Sequence, residues 1–96
     1  MKQRVYKVKT EGSDKLAQLL PNAYYSIFER AEHTAKAQIE ECMKWKAENS
    51  SEELVHFVER EDNITGYRAQ LVYSFKEWYH VIMVRVEPTW IIIKEE

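Results

Sequence analysis

A single cysteine, Cys42, in 96 residues leaves the chain without an intrachain disulfide, which points to a reducing compartment and a cytoplasmic location. Glycine and proline occur only twice each. So few turn formers leave little sequence for long loops, and a glycine-rich phosphate cradle is excluded. Long hydrophobic runs are missing too: the longest, at 81–84 and 90–93, hold four residues each, far short of the roughly 20 that span a bilayer as a helix. The opening stretch, MKQRVYKVKTEGSDK, carries no apolar run, so neither a signal peptide nor a membrane partner is expected. Nor is positive charge in excess. Fourteen basic against sixteen acidic residues give a net charge of −2, whereas tight nucleic-acid binding draws on a surplus of Lys and Arg. No GxSxG, CxxC or HExxH motif occurs, so the familiar nucleophile, redox and zinc-protease signatures are absent.

What is present is an ordinary globular composition, 45% hydrophobic and 31% charged, enough for one domain over 1–96 and too short for two. Residues 3–10 alternate as a strand, and their lysines suit a sheet edge. Ser13 is placed to cap a short helix running to Leu20, before Pro21 and Asn22 interrupt. From 23 to 48, Tyr24, Ile27, Phe28, Ala31, Ala35, Ile39, Cys42 and Met43 recur at intervals of three and four, the stripe of a long amphipathic helix about 39 Å in length. Leu54 to Arg60 reads as a strand despite a capping-box-like Ser-Ser-Glu-Glu before it, and 61–66 as a turn. Two runs of strict alternation follow, 67–75 and 78–87. Pro88-Thr89 is expected to break the chain before a last strand at 90–93. The fold class is α+β: a long amphipathic helix, preceded by a short one, packed on a four- to five-stranded mainly antiparallel sheet, in the order β-α-α-β-β-β-β.

A tight turn at Lys76-Glu77 pairs Phe75 with Trp78, Tyr73 with His80, Leu71 with Ile82, Ala69 with Val84 and Tyr67 with Val86, all on one face. That face takes the helix. The opposite face then carries Val72, Tyr79, Val81 and Met83, with Arg68 and Arg85 facing each other. An uncovered antiparallel face should alternate with polar residues more cleanly than this, so burial by a second copy or another protein is expected, unless the short helix covers it. The aromatic content, three Trp, six Tyr and three Phe, supports contact surfaces. The expected interface residues are Val72, Tyr79, Val81, Met83, Arg68, Arg85, Trp45 and Trp90. Charge is also divided along the chain: Lys2, Arg4, Lys7 and Lys9 at the start, against Glu48, Glu52, Glu53, Glu59, Glu61 and Asp62 further on.

No catalytic residue, metal site or cofactor is assigned. His33 lies four residues after Glu29 but lacks a third ligand at helical spacing. His56 has no distinctive setting, and His80 reads as a core or rim histidine. Cys42 falls in the apolar stripe, as a structural thiol does. The expected function is a small non-enzymatic protein–protein interaction module, a regulator or inhibitor of the phage or mobile-element type, acting as a homo-oligomer or homodimer on a larger protein. Two alternatives stand beside it: a small endoribonuclease or RNA-binding domain acting through Arg68, Arg85, Tyr79 and His80, and a pocket for an apolar ligand lined by Tyr24, Phe28, Tyr73 and Trp78. The order of elements, with Leu19-Leu20-Pro21 closing the first helix, is similar to that of the ribosome-dependent messenger-RNA endonuclease toxins. Those are typically basic, with Lys, Arg and Tyr in the catalytic groove, and this chain is neither basic nor rich in such residues, so the family is not assigned.

Overall fold

The computed structural model describes residues 1–62 and 66–93, apart from the side chain of Asp62. Of the turn expected over 61–66, residues 63–65 lie outside the described residues, as does the tail at 94–96, while Glu61, Asp62 and Gly66 belong to strands instead. The class is the one expected: strand β1 (Lys2–Glu11), helix α1 (Lys15–Leu19), a short strand β2 (Ala23–Tyr25), helix α2 (Phe28–Asn49), then β3 (Glu53–Asp62), β4 (Gly66–Phe75) and β5 (Trp78–Ile92). The five strands form one antiparallel sheet in the order β2-β1-β5-β4-β3.

The β4–β5 hairpin has the register that its alternation dictates, from Phe75↔Trp78 to Tyr67↔Val86. Its two-residue turn is made by Lys76 and Glu77, with Lys76 held at φ 57°, the left-handed conformation for which Gly or Asn is the usual choice. Tyr67, Ala69, Leu71 and Tyr73 on β4 and Ile82, Val84 and Val86 on β5 are buried against α2. The helix contributes Ala31, Ala35, Ile39 and Cys42. Two alanines at the crossing let the helix axis come close to the sheet. Each fully buried large side chain here, such as Leu71 or Ile82, stabilises the fold by about 2 kcal/mol relative to exposure. Polar contacts fix the helix on the other side: Thr10 Oγ1 donates to Gln38 Oε1 at 2.8 Å, and Thr34 Oγ1 to the Tyr25 hydroxyl at 3.0 Å.

Several boundaries differ from expectation for identifiable reasons. The long helix begins at Phe28, not at Ala23, because Ala23–Tyr25 pair with β1 through Val8↔Ala23 and Tyr6↔Tyr25. Tyr24 therefore leaves the helix stripe. Asp14, not Ser13, caps α1 by accepting from the Leu16 N–H at 2.8 Å, while Ser13 Oγ accepts from the Val81 N–H at 3.0 Å. β1 is not an edge: it lies between β2 and β5, and the edges are β2 and β3. Pro88 does not break the last strand. It sits past the final β4 pair, Tyr67↔Val86, where β5 has become an edge and a missing N–H is tolerated. The two apolar runs near the C-terminus are thus one 15-residue strand.

Both helices lie on the same side of the sheet. Ala17 of α1 joins the core formed by α2, β4 and β5, so α1 does not cover the opposite face. No helix among the described residues is long and apolar enough to cross a membrane.

Candidate functional site

Six of the eight residues expected at an interface are brought together on the bare sheet face. Val72 pairs with Val81, Gln70 with Met83, Ser74 with Tyr79 and Arg68 with Arg85. Val72, Val81 and Met83 are half-buried, and Tyr79 is 65% exposed. Arg85 is held by Glu11 at 3.1 Å and approached by Glu87 at 3.6 Å. The other two residues lie elsewhere. Trp45 stands half-exposed on α2, and Trp90 sits on β5 beyond β4, on the side of the sheet that carries the helices.

Trp90 belongs to a second feature, visible only once the strands are paired. β4 reaches no further than the Val86 level and β2 no further than Tyr6. Beyond them, residues 1–5 and 89–93 continue as a two-stranded ribbon. Its end is tied by the Ile93 N–H donating to Met1 O at 2.8 Å. Trp90 is 62% and Ile92 77% exposed there, with Ile91, Ile93 and Met1 also uncovered. Arg4 lies across from Trp90, and Lys2 across from Ile92.

The third feature was missed at the level of sequence. At the far end of α2, Lys46 continues the stripe Ile39-Cys42 and is 4% exposed. Its ammonium contacts Glu52 Oε2 and lies 2.5 Å from Asp14 Oδ2, an approach that does not meet hydrogen-bond angles at that oxygen. Ser50 Oγ donates to Glu52 at 3.0 Å, and His80 Nδ1 lies 2.7 Å from Glu52 Oε1. The Tyr73 ring completes the surroundings, with the ammonium 5.2 Å from its centroid. Burial alone would raise the Glu52 pKa, but hydrogen bonds from Lys46, Ser50 and His80 outweigh it and hold the carboxyl below its ordinary value. Burial would likewise lower the Lys46 pKa, and the two carboxylates more than reverse that. The Tyr73 hydroxyl is pushed up by burial, against the opposing pull of Lys46. The one clue in the sequence was a lysine four residues after Cys42 on an otherwise apolar stripe.

Asp14, Glu52 and His80 offer ligand atoms within 4.8 Å of one another, a spacing that suits a metal ion. The Lys46 ammonium, however, touches both carboxylates and takes the cation's place. We therefore read the cluster as a protein-supplied ion pair network. It opens onto a cleft of 680 Å³ lined by Ser13, Lys15, Leu19, Trp45, Phe75 and His80. On the far side of Trp45 lies a smaller apolar groove of 450 Å³ between α1 and α2, lined by Leu16, Leu20, Ala37 and Cys42. Burial raises the Cys42 pKa to about 11, so its thiol is no nucleophile at neutral pH.

Neither alternative constellation is assembled in full. His80 shares the helix-bearing face with Tyr73, its ladder partner, whereas Arg68, Arg85 and Tyr79 lie on the other. Tyr24, Phe28, Tyr73 and Trp78 do not enclose a pocket: Phe28 packs edge-on against Tyr6 at the start of α2, Tyr73 lies beside Lys46 near its end, and Trp78 is exposed at the hairpin tip. Comparison with protein-family models, with curated proteins and with solved structures finds no match to this chain.

Proposed function

We propose that this protein is a non-enzymatic interaction module, a regulator or inhibitor of a larger protein, and that it works as a homodimer assembled through the β1/β5 ribbon. The observation that carries this is the uncovered set Trp90, Ile92, Ile91 and Met1 on a ribbon with no third strand among the described residues. A two-stranded ribbon is marginal alone in water, and contiguous exposed apolar residues mark contact sites. A second copy suits it by charge. The ribbon presents Lys2 and Arg4, while the free edge β3 presents Leu54, Val55 and Phe57 among Glu53, Glu59 and Glu61. Reciprocal docking of ribbon on edge closes a two-fold dimer and covers both apolar sets. Light scattering during size-exclusion chromatography tests it: a dimer at micromolar concentration is expected, reduced to an 11.5 kDa monomer by Trp90→Asp and by Phe57→Asp. A wild-type monomer at these concentrations rejects the assembly.

One observation favours a second, enzymatic reading. Glu52 holds His80 Nδ1 at the mouth of the cleft, an arrangement that orients an imidazole for general acid–base work. An endoribonuclease built here would use His80 and Glu52 and would do without Arg68, Arg85 and Tyr79. RNA cleavage by the purified protein that survives His80→Gln disposes of it.

A further inference from the structure

Four cations stand in a row across the bare sheet face. Lys9 of β1 pairs with Arg85 of β5, Arg85 with Arg68 of β4, and Arg68 with Arg60 of β3. Strands 4.7–4.9 Å apart make this row about 14 Å long. Like charges directly opposite one another on a ladder destabilise it, and here they adjoin three times in succession. Among the described side chains, counter-charge reaches one end: Glu11 serves Lys9 at 3.5 Å and Arg85 at 3.1 Å, with Glu87 3.6 Å from Arg85. Among the described residues Arg60 and Arg68 make no ion pair, and Arg85 Nε, although buried, has no hydrogen-bond partner.

We propose that this face binds a single-stranded nucleic acid, with its phosphates along the row Lys9–Arg85–Arg68–Arg60. Guanidinium forks suit phosphate oxygens. Two open concavities, of 240 and 370 Å³, flank Arg68 between its neighbours Arg60 and Arg85. Moving along the strands from the row toward the hairpin tip, the same face becomes first Gln70 and Met83, then Val72 and Val81, then the exposed Tyr79. Charge on one side and flat apolar and aromatic surface on the other is the layout that holds a backbone and its bases without reading sequence. A second copy of the chain suits this face poorly. Among the described side chains, the acids near the row, Glu11 and Glu87, already lie against Arg85, and packing the row against another such face would bury cations without partners. Two of the acids that weigh against nucleic acid on composition lie away from this face: Glu59 and Glu61 point to the helix side, where they meet Tyr67 and Lys36.

The test is fluorescence anisotropy with a labelled mixed-sequence single-stranded RNA of about 16 nucleotides, a length within the site sizes of such surfaces, titrated at two salt concentrations. Binding is expected to weaken with salt. The Arg60→Gln/Arg68→Gln variant should bind at least about tenfold more weakly, with a salt slope shallower by about 1 to 1.5. Its melting temperature should be unchanged or higher, since a like-charge contact is removed. No binding by the wild type at low salt, unchanged affinity in the variant, or equal competition by polyglutamate would each overturn the proposal. Trp90→Asp, made in parallel, should keep RNA binding if the ribbon and the row are separate sites; its loss in that variant alone would also overturn the assignment to the row.

Discussion

Lys46 Nζ lies 2.5 Å from Asp14 Oδ2, and neither side chain is more than 5% exposed. A charge pair this deep is favourable only while both partners are present, because each ion gave up its hydration to enter. Lys46→Met leaves the buried Asp14 and the half-buried Glu52 without their cation and is expected to destabilise the fold by about 3–5 kcal/mol. Adding Asp14→Asn and Glu52→Gln to that variant should recover part of the loss. Urea denaturation, compared by midpoints at constant slope, measures both.

The same cluster sets the pH response. The Glu52 carboxyl is held below its ordinary 4.5 in the folded state, so its contribution is present above the unfolded value and is lost as pH falls through the folded one. Lys46 is raised above 10.5; its contribution is full below that value and fades as pH climbs through the folded pKa. Stability should therefore decline on the acid side below about pH 4.5. Glu52→Gln should lower neutral-pH stability while flattening that acid limb, which thermal melts between pH 3 and pH 7 would resolve. A limb of unchanged steepness in the variant would assign the acid response to other carboxylates.

Two backbone positions should respond in opposite directions. Lys76 holds φ 57° in the hairpin turn, and Lys76→Gly relieves a left-handed conformation that costs a side-chain-bearing residue about 1 kcal/mol, so the melting temperature should rise. Gly12 sits at φ 141°, and a Cβ there would fall 2.0 Å from Val81 O. Gly12→Ala should be destabilising by about 2 kcal/mol or more, because the flanking Ser13 and Asp14 are both bonded to Val81.

Cys42 supplies a reporter. With its pKa raised to about 11 and its side chain buried, the thiol should resist a maleimide or disulfide reagent at pH 7.5 and react only on opening. Modification at the rate of a free thiol in native buffer would mean that the α2 stripe is not packed on the sheet.

The elements that could be read from the chain are those whose information is local. Strict alternation over 67–75 and 78–86 specifies faces and register together, since a slip by one residue would turn Leu71 and Ile82 outward, and the pairing is as expected to the last partner. The spacing of Ala31, Ala35, Ile39 and Cys42 specifies a helix and its inner side. Boundaries were less legible. Whether Ala23–Tyr25 starts the helix or joins the sheet depends on β1 lying alongside, and Pro88 is harmless only because β4 has already ended.

The features that bear on function share a different origin. Asp14, Lys46, Glu52 and His80 come from four stretches of chain, and Lys9, Arg85, Arg68 and Arg60 from four strands. The amino-acid order sets which side of its own strand or helix each residue takes, because period 2 and period 3.6 are properties of one segment. It does not say which segments become neighbours. That depends on which arrangement buries the Leu71, Ile82 and Val84 face under α2, and the ammonium among carboxylates, the ribbon and the row of cations are consequences of that burial.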